Sequence, residues 1–246
     1  MPDEEWLSTG EAAEILGVSS ERVRQLAQSG KLPARRTPAG WIIPISAVAN
    51  LQLPGRGRLI TPKTAWQVIT ALDVRANIAA AKQAIADRRA RYRIMGLIDD
   101  LPDPENQPEP WRRVLGGRGY STRMRAHRGV VQHAAADSRV AVGGSDAMPG
   151  RYGLTKGRTV LYVSNAIEAD VTAQYHLSPD RTGQITLVTV PAGLEPRGGF
   201  PVPAPAAAAD LLDEDDPRAR HAGANYLKTC VTELRDTGWL HYADQR

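Results

Sequence analysis

The chain has 246 residues, 42% hydrophobic and 24% charged, which suits one large or two modest globular domains and excludes a disordered or fibrous polymer. A single cysteine, Cys230, excludes an internal disulfide and any cysteine-based metal cluster. The formal charge of +4 permits a nucleic-acid partner without requiring one, since an excess of arginine over lysine alongside abundant Ala, Gly and Pro is most simply the mark of a G+C-rich coding sequence.

With one Phe in the chain, the cores must be built from Leu, Val, Ile and Ala. The opening residues MPDEEWLS are acidic and lack an apolar signal core, and no run reaches membrane-spanning length. The expectation is a cytoplasmic protein with no membrane partner. There is no internal repeat.

Residues Leu7 to Leu51 read as one unit. Ser8 or Thr9 can cap a first helix, with Glu11 three residues after Ser8 as a capping box requires. Ala12, Ala13, Ile15 and Leu16 supply its apolar face. Gly17 turns the chain, Val18 plugs the core, and Ser19 caps a second helix whose Val23, Leu26 and Ala27 point inward. Ser20, Glu21, Arg22, Arg24, Gln25 and Gln28 are left outward, side chains suited to phosphates and base edges. After Gly30 and Lys31, the segment Leu32–Arg36 and the strand Trp41–Ile43 face each other across a turn at Thr37–Gly40, a small wing. The second helix can thus enter a major groove while Arg35 and Arg36 reach flanking phosphates or a minor groove. A charged helix face taken alone is more often a solvated surface. The complete order of cap, helix, turn, helix, basic wing and terminal helix favours the DNA reading.

The stretch LSTGEAAEILGVSSERVRQLAQSGKLPARRTPAGWIIPISAVANL resembles the excisionase-like branch of the MerR-type winged helix-turn-helix domains, most specifically in GEAAEILGVS and RVRQLAQSGKLPA. The resemblance implies DNA binding by the second helix, through Ser20, Arg22, Arg24 and Gln25, and by the wing, through Arg35 and Arg36. In MerR regulators a long dimer helix and an effector pocket follow the module, and no such effector signature appears in this sequence.

Residues Leu53 to Arg58, LPGRGR, form a basic joint with Arg56 and Arg58, more often a plain linker than a minor-groove arm. A helix begins with Thr61 as cap and Pro62 first, buried through Ala65, Trp66, Ile69 and Leu72. A second, about Ile78 to Leu97, carries Lys82, Arg88, Arg89, Arg91 and Arg93. From Arg56 to Arg93 there are nine basic and two acidic residues, either a second phosphate-tracking surface or a solvated helix face. A polar break, DLPDPENQPEP (Asp100 to Pro110), reads as a loop or hinge. Beyond it the pattern gives strands at Tyr120–Ala126, Arg139–Val142, Thr159–Val163 and Ile185–Val190. Helices alternate with them at Gly129–Ala136, after Gly144, at Ala166–Tyr175, Ala206–Leu212 and Pro217–Leu234. The fold class is α+β, a winged helix-turn-helix followed by a mixed α/β domain. The expected divisions are 1–53 for DNA binding, 54–110 as a basic helical linker region, and 111–246 as the C-terminal domain.

The winged module, the LITPKTAWQVITAL helix, the basic ARRARYR stretch and GYSTRMRAHRGVVQHAAADSRVAVGGSDAM, in that order, resemble the AbiEi-type antitoxins of type IV toxin–antitoxin systems. The resemblance covers most of Leu59 to Leu234 through strand and helix order. It implies a repressor of its own operon that counteracts an AbiEii-like nucleotidyltransferase toxin, with Arg123, Arg125 and Arg128 extending the DNA contact.

An enzyme reading competes. Nucleotidyltransferases hold a triphosphate on a Gly-Gly-Ser helix start and place two metal-binding carboxylates on a following strand. Gly143, Gly144 and Ser145 fit the first part, but Thr159–Val163 carries no carboxylate, Asp170 falls in a helix, and Asp146 alone cannot hold two metal ions. The domain is then at most a degenerate, non-catalytic relative of that fold. The five histidines, His127, His133, His176, His221 and His241, lack metal-ligand spacing. The acidic run DLLDEDDPR (Asp210 to Arg218) is a solvated cap, or a phosphate mimic against a basic partner or the chain's own arginines. The expectation is a non-enzymatic regulator without cofactor or metal. It binds double-stranded operator DNA, an inverted repeat, as two copies.

Overall fold

Local signals set the N-terminal elements. In the computed structural model, which describes residues 6–16, 19–28, 32–38, 40–50, 60–73, 83, 85–148 and 158–236, a short strand β1 (Trp6–Ser8) runs straight into helix α1 (Thr9–Leu16). The capping box forms: the Ser8 N–H donates to Glu11 Oε2 at 2.8 Å, and the Glu11 N–H donates to Ser8 Oγ at 3.3 Å. The Ser8 N–H first, and its hydroxyl second, hold the Glu11 carboxyl below its usual range. Ser19 Oγ accepts the Arg22 N–H at 3.2 Å and so opens α2 (Ser20–Gln28). Gly17, Val18, Gly30 and Lys31 lie outside the described residues.

Strands β2 (Arg35–Thr37) and β3 (Gly40–Pro44) make the expected wing, and α3 (Ile45–Asn50) follows. The unexpected β1 pairs antiparallel with β3, Leu7 opposite Ile43, giving a three-stranded sheet in the order β1-β3-β2. Leu7, Ala12, Ala13, Val23, Leu26, Leu32, Ile43, Ala47 and Val48 form the core of this unit. Ile15 does not join it. At 59% exposure it sits outside the arc that Ala12, Ala13 and Leu16 turn inward, because a residue three after Ala12 is rotated 60° back from it.

Thr61 caps α4 (Pro62–Asp73), accepting the Thr64 N–H at 3.2 Å. The helix expected over Ile78–Leu97 is interrupted at Ile85–Asp87, and α5 (Arg88–Asp99) follows, capped by Asp87, whose carboxylate accepts the Arg89 N–H at 3.0 Å; residues 78–82, Lys82 among them, lie outside the described residues. The polar break gives way to a helix sooner than expected. Pro108 opens α6 (Pro108–Leu115) in the first turn, where a missing N–H costs nothing. The Trp111 indole N–H, donating to the Pro102 carbonyl at 2.7 Å, ties the preceding loop down.

The remaining elements are β4 (Tyr120–Arg125), α7 (Arg128–Ala135), β5 (Ala141–Gly143), β6 (Thr159–Ser164), α8 (Glu168–Gln174), β7 (Ser178–Pro179), β8 (Ile185–Val190), α9 (Ala204–Leu212) and α10 (Pro217–Asp236). Their strands build one mixed sheet in the order β5-β6-β8-β4-β7. Strands β6 and β8 run parallel, joined through α8, and the other pairs run antiparallel. All six residues of β6 are buried, as a central strand covered on both faces must be. Val160 and Tyr162 point to a core shared with α4, α5, α6, α9 and α10, while Leu161 and Val163 point to a second core under α7 and α8. The chain is therefore a helix-turn-helix unit followed by a mixed α/β fold. Helices α4 and α5, from the segment expected to link two domains, share the first of these cores. Tyr120, at the head of β4, packs against the N-terminal core, and burial, with Glu168 adding to it, pushes its hydroxyl up to about 12.

Candidate nucleic-acid interface

On α2 the buried residues Val23, Leu26 and Ala27 fix which side faces out. At 100° per residue, Ser20, Glu21, Arg24, Gln25 and Gln28 span one outward arc of about 140°. Arg22 sits at its flank, half-buried, and donates to Gln25 Oε1 at 3.4 Å. Arg24 is held differently: its guanidinium pairs with Glu21 Oε2 at 2.6 Å, both side chains about half exposed. The pair holds Arg24 within the arc and can be exchanged for a better acceptor at small cost, since exposed helical pairs are worth only about 0.3–0.5 kcal/mol.

The wing sorts its two arginines to opposite sides. Arg36 lies opposite Trp41 and Arg35 opposite Ile42. Trp41 and Ala34 pack against the core that holds α2, so Arg36 projects on the helix side and Arg35 on the outer face of the sheet. The Arg36 guanidinium stands 6.0 Å from the centre of the Trp41 ring, a contact that orients it. The turn between the strands is closed by Thr37 Oγ1 donating to the Gly40 carbonyl at 2.8 Å, with Gly40 at φ 127°, a conformation other residues rarely adopt. Arg35 makes no ion pair among the described residues. Lys31, Arg56 and Arg58 lie outside the described residues.

The arginines expected to extend the contact behave unevenly. Arg123 pairs with Asp215 at 3.4 Å, and Arg125 with Asp180 at 2.5 Å. Arg128 is exposed at the first position of α7. Of the alternatives for the acidic run, the chain's own arginines are where it lies. Asp213 meets Arg112 and Arg118, Glu214 meets Arg158, and Asp215 meets Arg158 and Arg123.

At the root of that run is a buried polar knot. Asp210 Oδ1 accepts from Arg118 Nη2 and from the Tyr162 hydroxyl, each at 2.6 Å, and Oδ2 accepts the Gly144 N–H at 2.9 Å. Arg118 Nε also donates to the Tyr162 oxygen at 2.8 Å, and Nη1 to the Leu115 carbonyl at 3.0 Å. Arg118 and Asp210 are only 3% and 5% exposed. Burial pushes the Asp210 carboxyl up against the pull of Arg118, and it lifts the Tyr162 hydroxyl well above its usual range. A Cβ at Gly143 would collide with the Asp210 carboxylate and the Tyr162 ring. The paired glycines of the nucleotidyltransferase reading are thus shaped around an internal carboxylate, and the Gly144 amide is occupied by it.

Among the described residues no group of three or more His, Cys, Asp or Glu side chains is arranged to hold a metal ion, and no helix is long and apolar enough to cross a membrane. Two residues of the interface escape a list of basic side chains: Glu21, which holds Arg24, and Trp41, which carries Arg36. The Glu-x-x-Arg spacing was the available signal for the first, and the second follows only from the hairpin register.

Comparison with known proteins agrees on the N-terminal unit. A family model described as a helix-turn-helix domain matches residues 6–52, which take in β1 through α3. No curated protein and no solved structure matches the chain. The helix-turn-helix domain supports DNA binding by a regulator.

Proposed function

We propose that the chain is a transcriptional repressor that inserts α2 into the major groove of an operator and sets the wing against the flanking backbone. The observation that carries this reading is the single outward arc of Ser20, Glu21, Arg24, Gln25 and Gln28, with Arg36 on the helix-facing side of the wing. Arg24 reads a base edge, and Arg36 neutralises a phosphate. Residues 1–53 form the DNA-binding module, and the operator is an inverted repeat bound by two copies. A salt series on the chain's own upstream DNA tests the assignment of the wing. Arg36→Ala lowers the slope of log affinity against log salt by about 0.9, one phosphate's share, and Arg35→Ala on the outer face lowers it less. Equal slopes in the wild type and Arg36→Ala would remove the wing from the interface.

The order of elements from Leu59 to Leu234 supports a narrower role within this reading, an AbiEi-like antitoxin that represses its own operon and counteracts a nucleotidyltransferase toxin encoded beside it. Co-expression with the neighbouring gene product tests it: relief of growth arrest by the full chain supports the role, and arrest that persists beside a soluble chain opposes it. An active transferase is the less favoured alternative, because the Gly144 amide serves Asp210.

A further inference from the structure

We infer that the outward face of α5, built from Arg88, Arg89 and Arg93, is a second DNA-backbone contact of this protein. The inference rests on the operator-binding reading and names the surface by which the α/β part of the chain joins it.

The helix is locked in rotation. Ala90, Ile94, Met95 and Ile98 are buried in the core shared with α4, α9 and α10. At 100° per residue these occupy one arc, and the opposite arc carries Arg88, Asp99, Tyr92, Gly96, Arg89 and Arg93 in angular order, with Asp99 at the far end of the helix. Arg91 is not part of it; it turns back and donates to the carbonyls of Ile85 and Ala86 at 2.6 and 2.8 Å. Arg88 is held along the helix by Tyr92, with its guanidinium 5.4 Å from the ring centre and Nη2 donating to the hydroxyl at 3.2 Å. Arg89 and Arg93 are exposed and make no ion pair among the described residues. Exposed Gly96, one turn beyond Tyr92, adds no side chain to the face, and nothing lies within 4 Å of where its Cβ would be. The acidic end of the helix, Asp99 and Asp100, lies about 9 Å further along the axis from Arg93, and Asp99 is engaged by Arg235 at 3.7 Å.

This arrangement opposes local helix electrostatics. Arg88, Arg89 and Arg91 crowd the positive end of the helix dipole, and no acidic residue of the first turn offsets them; the Asp87 cap alone does. A face kept this basic at an electrostatic cost fits an anionic partner. Arg89 and Arg93 are one turn apart, about 6 Å along the axis, close to two steps of the 3.4 Å phosphate rise along one DNA strand. Arg123 and Arg125 suit that partner less well, since Asp215 and Asp180 already neutralise them.

The test uses the full chain, its own upstream duplex and a random duplex of equal length, with affinity followed by fluorescence anisotropy across a sodium chloride series. Replacing both exposed arginines (Arg89→Ala with Arg93→Ala) lowers the salt slope on both duplexes by about 1.8, at 0.9 per phosphate, and leaves the preference between duplexes unchanged. Arg89→Lys with Arg93→Lys restores most of the slope, and circular dichroism confirms that the surface variants fold. An unchanged slope in the double alanine variant, with a reduced slope in Arg36→Ala, overturns the α5 contact and leaves the helix-turn-helix reading intact. A reduced slope in a chain that shows no preference for its own duplex supports the α5 contact and overturns operator reading. A chain that binds neither duplex overturns both.

Discussion

Replacing Asp210 by Ala removes the acceptor at the centre of the buried knot and leaves three donors without it: Arg118 Nη2, the Tyr162 hydroxyl and the Gly144 N–H. Breaking a buried ion pair from one side typically costs about 3–5 kcal/mol, because a buried charge is left uncompensated. Two contacts soften the loss here. Arg118 still reaches Asp213, one-third exposed, at 3.0 Å, and its Nη1 still meets the Leu115 carbonyl. The expected loss is therefore about 3–4 kcal/mol. With a urea slope of about 2 kcal/mol per molar, the unfolding midpoint of the α/β part falls by about 1.5–2 M. Asp210→Asn keeps one carbonyl oxygen but turns an amide N–H toward other donors, and it falls between wild type and Asp210→Ala. The control is Asp180→Ala, which breaks the partly exposed pair with Arg125 and removes the acceptor of the Thr182 N–H and hydroxyl, and costs about 1–2 kcal/mol. Urea titrations followed by far-ultraviolet circular dichroism read all four proteins. A loss below about 1 kcal/mol for Asp210→Ala, or an equal loss for Asp180→Ala, would refute the view that this knot holds β5, β6 and α9 together.

Three further substitutions follow from named contacts. Ser19→Ala removes the cap of α2 and lowers stability by about 1 kcal/mol, while Ser19→Asp retains it; thermal melts in which the two variants coincide would contradict the capping role. Gly40→Ala meets no neighbouring atom, so its expected cost of about 1–2 kcal/mol comes from the φ of 127° alone, and a melt unchanged from wild type would dispose of that strain. Asp137 accepts from the Arg139 guanidinium, the Arg139 N–H and the Tyr175 hydroxyl, and chiefly the Arg139 guanidinium holds its carboxyl below the usual range. A depressed folded value contributes stability above the unfolded value near 4 and loses it as pH falls through the folded one. The stability gap between wild type and Asp137→Asn should thus shrink from pH 5 downward, and a gap independent of pH between 7 and 2.5 would count against the pairing.

What the sequence shows well is local. Both caps of the helix-turn-helix unit, the Thr61 cap and the position of the strand Ile185–Val190 are decided within four to six residues, and the structure places each where the pattern does, although that strand is buried on both faces rather than in alternation. Elements that depend on distant partners are not visible in this way. Trp6–Ser8 is a strand only because β3 offers Pro44, Ile43 and Ile42 opposite it, and Ser178–Pro179 only because Met124 and Arg125 do. Pro108 and Pro110 read as breakers of structure, yet at the start of a helix they are compatible with it. The same distinction governs the site. The outward arc of α2 follows from helical periodicity. Which arginines are already neutralised does not, because Arg118–Asp210 and Arg123–Asp215 each join residues 92 positions apart. The sorting of Arg35 and Arg36 to opposite wing faces needed the hairpin register.

The central claim is that α2 reads DNA sequence through Arg24. Its most direct test is competition binding of the full chain to its own upstream fragment against random DNA, for the wild type and Arg24→Ala. A base-reading guanidinium is worth about 1–3 kcal/mol of discrimination, so the substitution should reduce the preference for the cognate fragment roughly 5- to 150-fold while changing affinity for random DNA little. Equal losses on both DNAs would contradict base reading by α2, and a wild-type chain without preference would contradict the operator-binding account as a whole.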